Sequence, residues 1–186
     1  MTITYQTTKT KADLQGILDL QKANLPQAIT TQELKQEGFV TIQHDLVLLE
    51  QMNHPHPHVI AKANEKVIGY TLVMLRQLSQ VIPILVPMFE QINACTYKGQ
   101  ALAEAQYFIM GQVCIDKQYR GQGLFKGMYA TLEKEMSPHF DYIITEIAQR
   151  NPRSLKAHYK IGFQDLTTYT ADNGEVWVIV ILEIGN

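Results

Sequence analysis

Cysteine is scarce in this chain. Cys95 and Cys114 are the only two in 186 residues, too few for the disulfide framework that holds small secreted folds together. Long hydrophobic runs are missing as well. No apolar stretch approaches the roughly 20 residues that cross a bilayer, and the polar residues 1–11 carry no signal-peptide core. Charge of one sign is not in excess: the formal net charge is -2 and the sequence pI about 6.3, so nothing in the totals points to nucleic acid or a membrane surface. Repeats and low-complexity tracts do not occur. What is present is a hydrophobic share of 46% with 18% charged residues, the balance of a globular protein with a core of its own. A single domain over 1–186 and a cytoplasmic location are the expectations. Cys114, inside an apolar stretch, reads as a small buried hydrophobe.

The patterning predicts a mixed order of elements. A strand is expected over 3–7. A helix over 10–25 has Leu14, Ile17, Leu18 and Leu20 near helical spacing and Thr10 as N-cap. Pro26 ends it. A second short helix capped by Thr30 or Thr31 runs to Glu37, and a third covers 44–52. A hairpin joins 59–63 and 66–75 around Asn64-Glu65. Residues 77–103, broken by Pro83 and Pro87, form a long excursion with helical turns over 86–92, of the kind that serves as a substrate lid. Then come a strand (105–116), a helix (123–136), a strand (142–148), a short helix (154–161) and a closing hairpin (163–169 with 175–183) around Asp172-Asn173-Gly174. A meander, one βαβ unit and a hairpin make an α+β or mixed α/β domain on one central sheet.

The most informative stretch is Val113-Cys114-Ile115-Asp116-Lys117-Gln118-Tyr119-Arg120-Gly121-Gln122-Gly123-Leu124-Phe125. It reads as a strand, a glycine-punctuated turn and the start of a helix. A helix N-terminus presents N–H groups and a partial positive charge, so it can hold phosphate. Glycines at 121 and 123 let the backbone approach an anion with no Cβ in the way. A P-loop needs Gly-x-x-x-x-Gly-Lys-Ser/Thr, which is absent. A dinucleotide site is nearer, because Gly121-x-Gly123-x-x-x-Gly127 is followed by Glu146 about twenty residues on. That fold needs several βαβ units, however, and one is visible. A second cluster follows: Asn151-Pro152-Arg153-Ser154-Leu155-Lys156-Ala157-His158-Tyr159-Lys160-Ile161-Gly162-Phe163.

Together the two clusters resemble the GNAT superfamily of acetyl-CoA-dependent N-acetyltransferases. Its phosphate loop has the form Arg/Gln-x-x-Gly-x-Gly/Ala. Both a register from Gln118 to Gly123 and one from Arg120 to Phe125 fit, the second departing only at Phe125. The second is preferred, because Ile115 to Gly123 match the family's hydrophobic-Asp-x-x-aromatic-Arg-Gly-x-Gly residue by residue. The resemblance implies a GNAT fold: a mixed, mostly antiparallel, splayed sheet with helices on both sides. It implies acetyl-CoA as co-substrate, with amides of Gly121, Gln122, Gly123, Leu124 and Phe125 around the pyrophosphate and the charge of Arg120 nearby. Backbone groups of Val113, Cys114 and Ile115 would pair with the pantetheine arm, and Asn151 would contact the cofactor.

The family often carries a Tyr four residues before the Gly of Gly162-Phe163, placed to protonate the leaving thiolate. Here that place holds His158, and Tyr159 comes one residue late. About 100° of helix separates the two, so either is a candidate acid and both cannot face one atom equally.

Glu146, in an otherwise apolar strand, is the candidate base. A carboxylate there needs a partner or a purpose, and burial would raise its pKa. Bonding to Arg150 or to backbone would make it structural instead. Glu104 and Asp116 are weaker alternatives. His54-Pro55-His56-Pro57-His58 invites a metal reading, but no Cys, Asp or Glu joins it locally, so a solvated loop and no metal are expected. The implied partner is a small-molecule or peptide amine, with no nucleic acid and no membrane; a homodimer is compatible. A silent acyl-CoA-binding module and a dinucleotide-binding protein are the alternatives.

Overall fold

The computed structural model describes residues 2–25, 43–80, 82 and 85–185. The expected second helix ending at Glu37, and the break at Pro26, lie outside them. Two compact units emerge, Met1–Val73 with Gly111–Glu135, and Met74–Met110 with Met136–Asn186.

The first unit begins with β1 (Ile3–Thr7) and α1 (Lys11–Lys22). Thr10 caps α1 as the sequence predicts. Its side chain accepts from the Asp13 amide at 3.2 Å, and the Asp13 carboxylate accepts from the Thr10 amide at 3.0 Å. This reciprocal box satisfies two amides that a helix start leaves without intrahelical acceptors. Lys62 closes on the other Asp13 oxygen at 2.9 Å. The next helix, α2 (Leu46–Met52), starts two residues later than expected, because Asp45 is its N-cap and accepts from the Leu48 amide. The hairpin β2 (Val59–Ala63) with β3 (Lys66–Met74) forms as predicted around Asn64, which takes φ 54°. Strand β6 (Tyr107–Ile115), the 3-10 turn Lys117–Tyr119 and α4 (Leu124–Met136) complete the unit's elements. Its strands neighbour one another in the order β1-β2-β3-β6. Ile17, Leu49, Ile60, Ile68, Leu72, Met128 and Leu132 form its core, each fully buried.

The second unit contains the 3-10 turn Arg76–Gln80, α3 (Val86–Asn93), the two-residue strands β4 (Thr96–Tyr97) and β5 (Gln100–Ala101), and the first half of β6. The 77–103 excursion is therefore better structured than the sequence conveys: it holds a helix and a small hairpin. Then follow β7 (Tyr142–Ala148), α5 (Pro152–Lys160), β8 (Gln164–Thr170) and β9 (Val176–Glu183). The strand order is β6-β7-β9-β8. Among the described pairings of this unit only β6/β7 is parallel, and it pairs over three positions, Tyr107–Ile109 with Tyr142–Ile144. Past that point Thr145 Oγ1 donates to the Met110 carbonyl at 2.8 Å, so a side chain serves where the ladder stops. The architecture is mixed α/β, a mostly antiparallel sheet flanked by helices. It is not the all-parallel, doubly wound sheet of a dinucleotide fold.

Candidate active site

In the first unit the glycine turn is an open, left-handed turn that leads into a helix. Gly121 and Gly123 take φ of +76° and +83°, a region side chains disfavour, and a Cβ at either would point into open space. The helix begins at Leu124, one residue later than expected, because Gly123 is the left-handed hinge before it. The Gly127 amide bonds to the Gly123 carbonyl at 3.0 Å and closes the first turn. Gly127 has a different role. A Cβ there would sit 2.3 Å from the Tyr5 ring, so it is a packing glycine that lets β1 approach α4. Phe125, the departure from the family pattern, stacks on Tyr129 one helical turn on, with centroids 4.8 Å apart.

Arg120 is fastened rather than extended. Its Nε donates to the Ile115 carbonyl at 3.1 Å, and a terminal nitrogen donates to Asn24 at 2.9 Å. It braces the turn and places its charge beside it. Gln122 donates to the Gln118 carbonyl. Val113 and Ile115 are half-buried and Cys114 is buried. Burial pushes the Cys114 thiol up to about 12, which makes it an inert core residue. Burial also pushes Asp116 upward. The hydrogen bonds from Lys66 and the Gln118 amide outweigh it, together with the charges of Lys66 and Arg120, and hold this carboxyl below its ordinary value. Asp116 caps the 3-10 turn and is a poor base.

Behind β6 lies a buried polar network that the sequence reading missed. Gln112 Oε1 accepts from Tyr70 Oη and from Gln21 Nε2, both at 2.7 Å. Gln21 also contacts His44 Nδ1 at 2.9 Å and accepts from the His44 amide at 2.8 Å. Lone glutamines in amphipathic patterns give no signal of such a network. The expected solvated His54–His58 loop is corrected too. His58 is fully buried, and its Nδ1 accepts from the Val73 amide at 3.0 Å. Among the described residues no cluster of three or more His, Cys, Asp or Glu is arranged to hold a metal.

In the second unit, Arg150 pairs with Glu175 at 2.6 Å, and Glu146 has a different side-chain partner, Tyr169. The Glu146 Oε2 accepts from Tyr169 Oη at 2.6 Å. Burial pushes the Glu146 carboxyl above its ordinary range, and the Tyr169 hydroxyl holds part of that rise back. Asn151 is the N-cap of α5, which therefore starts at Pro152 rather than at Ser154. Its Oδ1 accepts from the Ser154 amide at 3.2 Å, which leaves Nδ2 as the end that can donate to a ligand.

The end of α5 explains the Gly162-Phe163 spacing in structural terms. Gly162 takes φ +105°; its amide bonds to the Tyr159 carbonyl, and the Phe163 amide bonds to the His158 carbonyl. This is a Schellman stop, with the expected side-chain contact across it: the His158 and Phe163 rings meet edge to face at 5.1 Å. His158 is buried, and its Nδ1 lies 2.8 Å from the Ser154 carbonyl. A carbonyl only accepts, so Nδ1 carries the proton. Burial lowers the His158 pKa to about 4, against that bond. Tyr159, 41% exposed, points elsewhere and donates to Asp165 at 2.6 Å. That hydrogen bond, with burial and the Asp165 charge, pushes its pKa up to about 12. Glu104 is exposed in the turn before β6.

Comparison with known proteins agrees with this architecture. No curated protein matches the chain. Among solved structures, the ribosomal-protein-S18-alanine N-acetyltransferase of Escherichia coli is similar at a TM-score of 0.63 and 13% identity, over 100% of this chain and 96% of that one. The yncA protein of Salmonella typhimurium, solved with acetyl-CoA, is similar at 0.64 and 15%, over 100% and 96%. The NatC complex bound to Gag peptide and CoA gives 0.66 and 15%, over 98% and 99%. At these identities the likeness is one of fold. The sequence profile of the Acetyltransferase (GNAT) family matches residues 17–163, most of the chain, and the protein therefore belongs to the GNAT acetyltransferase family.

Proposed function

We propose that this protein, as one domain over residues 1–186, transfers acetyl from acetyl-CoA directly to the amine of a small molecule or peptide in the cytoplasm. The observation that carries the reading is the glycine turn. Two left-handed glycines with open space before them lead into a helix start, which suits a pyrophosphate. In this reading Gly121 to Phe125 hold the phosphates beside the Arg120 charge. Backbone groups of Val113 and Cys114 receive the pantetheine arm. The Ile115 carbonyl is already engaged by Arg120, so its amide is the group that serves. Asn151 Nδ2 adds a donor.

In the reaction the amine nitrogen attacks the thioester carbonyl. The C–N bond forms, a tetrahedral intermediate collapses, the C–S bond breaks, and the CoA thiolate leaves. Glu146 takes the amine's proton, and the rise in its pKa on burial makes it a stronger base than an exposed carboxylate. His158 and Tyr159 are the proposed donors to the thiolate, and the way each is held limits it. His158 donates from Nε2 only as imidazolium, which forms near pH 4. Tyr159 donates only against its bond to Asp165 and a pKa near 12. Both limits give water a share in that step.

Isothermal titration with acetyl-CoA, CoA, NADPH and ATP tests the binding half: the two CoA species bind and the other two do not. Release of free thiol with a panel of amines tests the chemistry. Binding without thiol release from any amine would make the protein a silent acyl-CoA module.

A further inference from the structure

We propose that Tyr169 is a positioning residue for the Glu146 carboxylate, turned toward it by a β-bulge in β8; the proposal rests on the reading of Glu146 as the base. The geometry begins with the register. On β9, Val180 pairs with Thr145 and Ile179 with Glu146. On β8, Asp165 pairs with Val180, but Ile179 pairs with Thr167 rather than Leu166. Leu166 is the extra residue. Paired residues of an antiparallel ladder share a face, so Asp165 lies on the Thr145 face, while Thr167 and Tyr169 lie on the Glu146 face.

Without the bulge, residues 165 and 169 would share a face, because side chains repeat every two residues. With it, they part. Asp165 accepts from Tyr159, and Tyr169, opposite Trp177 and so in line with Ala148, reaches diagonally to Glu146 at 2.6 Å. Bulges re-aim side chains in this way.

Tyr169 keeps its own proton. Burial raises its pKa, and the adjacent Glu146 raises it further, by hydrogen bond and by charge. The pair therefore holds one negative charge, on the carboxylate, with a fixed O–H donor. The other titratable groups nearby are engaged elsewhere. On β7, Tyr142 shares the Glu146 face and donates to Gln100. On β8, Asp165 faces away. On β9, Trp177 and Ile179 carry no titrating group. Arg150, beyond β7, pairs with Glu175, and His158 on α5 bonds the Ser154 carbonyl. Tyr169 is thus the group placed to set both the orientation and the proton affinity of Glu146.

Tyr169→Phe removes the O–H and keeps the ring. In the full chain with glutamate carboxyls carbon-13 labelled, the signal absent from Glu146→Gln reports the Glu146 titration. Loss of a donor to the charged form should move its midpoint upward by about one pH unit or more. The acid limb of kcat/KM should move by the same amount. An unmoved midpoint in Tyr169→Phe overturns the proposal, as does a plateau lost with no shift of the limb. A Glu146→Gln protein with the full rate overturns the base reading. It leaves the titration shift as a separate result, so the two failures are distinguishable.

Discussion

The glycine turn and the Glu146–Tyr169 pair are built from different materials. The turn offers backbone: two left-handed glycines and a helix start, all within a few consecutive residues. The pair offers side chains from β7 and β8, 23 residues apart in the chain and separated in the sheet by β9. A backbone device is specified locally, and a substitution damages it by strain. A side-chain pair depends on register, and a substitution changes its chemistry while the shape survives.

The largest expected effect falls on the pair. Glu146→Gln keeps shape and loses basicity, so kcat should fall by roughly 10²–10⁴-fold while acetyl-CoA affinity holds. Normal turnover with an unshifted pH profile would leave Glu146 a structural residue bonded to Tyr169.

Acid should weaken both units through their buried histidines. His44 and His58 in the first unit have pKa values lowered to about 4 and about 3, and His158 in the second to about 4, each mainly by burial. The unfolded chain binds protons near pH 6.5 and the folded chain does not, so stability falls as pH drops from about 6.5 toward 4. The combined loss is on the order of a few kcal/mol. Urea unfolding at pH 7, 5.5 and 4.5 reads it directly, and equal stability at all three would mean that these rings are solvated.

Gly123→Val tests the turn. A branched residue at φ +83° is strained and fills the open space, so acetyl-CoA binding should weaken at least tenfold, or about 1.4 kcal/mol. Gly174 offers a control: it has φ +80° and open space in the β8–β9 turn. Gly174→Val should strain the fold similarly and leave CoA affinity alone. Equal losses from both would assign the effect to folding rather than to phosphate.

The smallest effect is expected from Tyr159→Phe. Its hydroxyl bonds Asp165 at an exposed site, so stability should change by no more than about 1 kcal/mol and turnover by less than about twofold. His158→Ala should slow turnover more, because it removes a buried ring that packs on Phe163. The reverse order would make Tyr159 the acid.

Much of this was legible in the chain. Thr10 capping α1, the β2–β3 hairpin, β7 at its predicted bounds and the glycine turn all follow from short-range rules: cap chemistry, alternation and the conformational freedom of glycine. The errors cluster where long-range partners intervene. His58 follows two prolines and looks solvated, yet the Val73 amide, 15 residues away, receives its ring. Gln21 and Gln112 look like ordinary polar positions, yet they meet across 91 residues of sequence.

The same division runs through the candidate site. By itself the sequence determined the glycine turn, the Gly162 stop of α5, and the isolation of a glutamate in an apolar strand, because each needs only neighbours within one element. Which group would attend that glutamate was decided by tertiary structure alone. Arg150, four residues away, was the local choice; pairing through β9 and one extra residue at Leu166 brought Tyr169 instead. The cause is the two-residue repeat of a strand. A single bulge reverses which face every later side chain occupies, and a bulge exists only once two strands have paired.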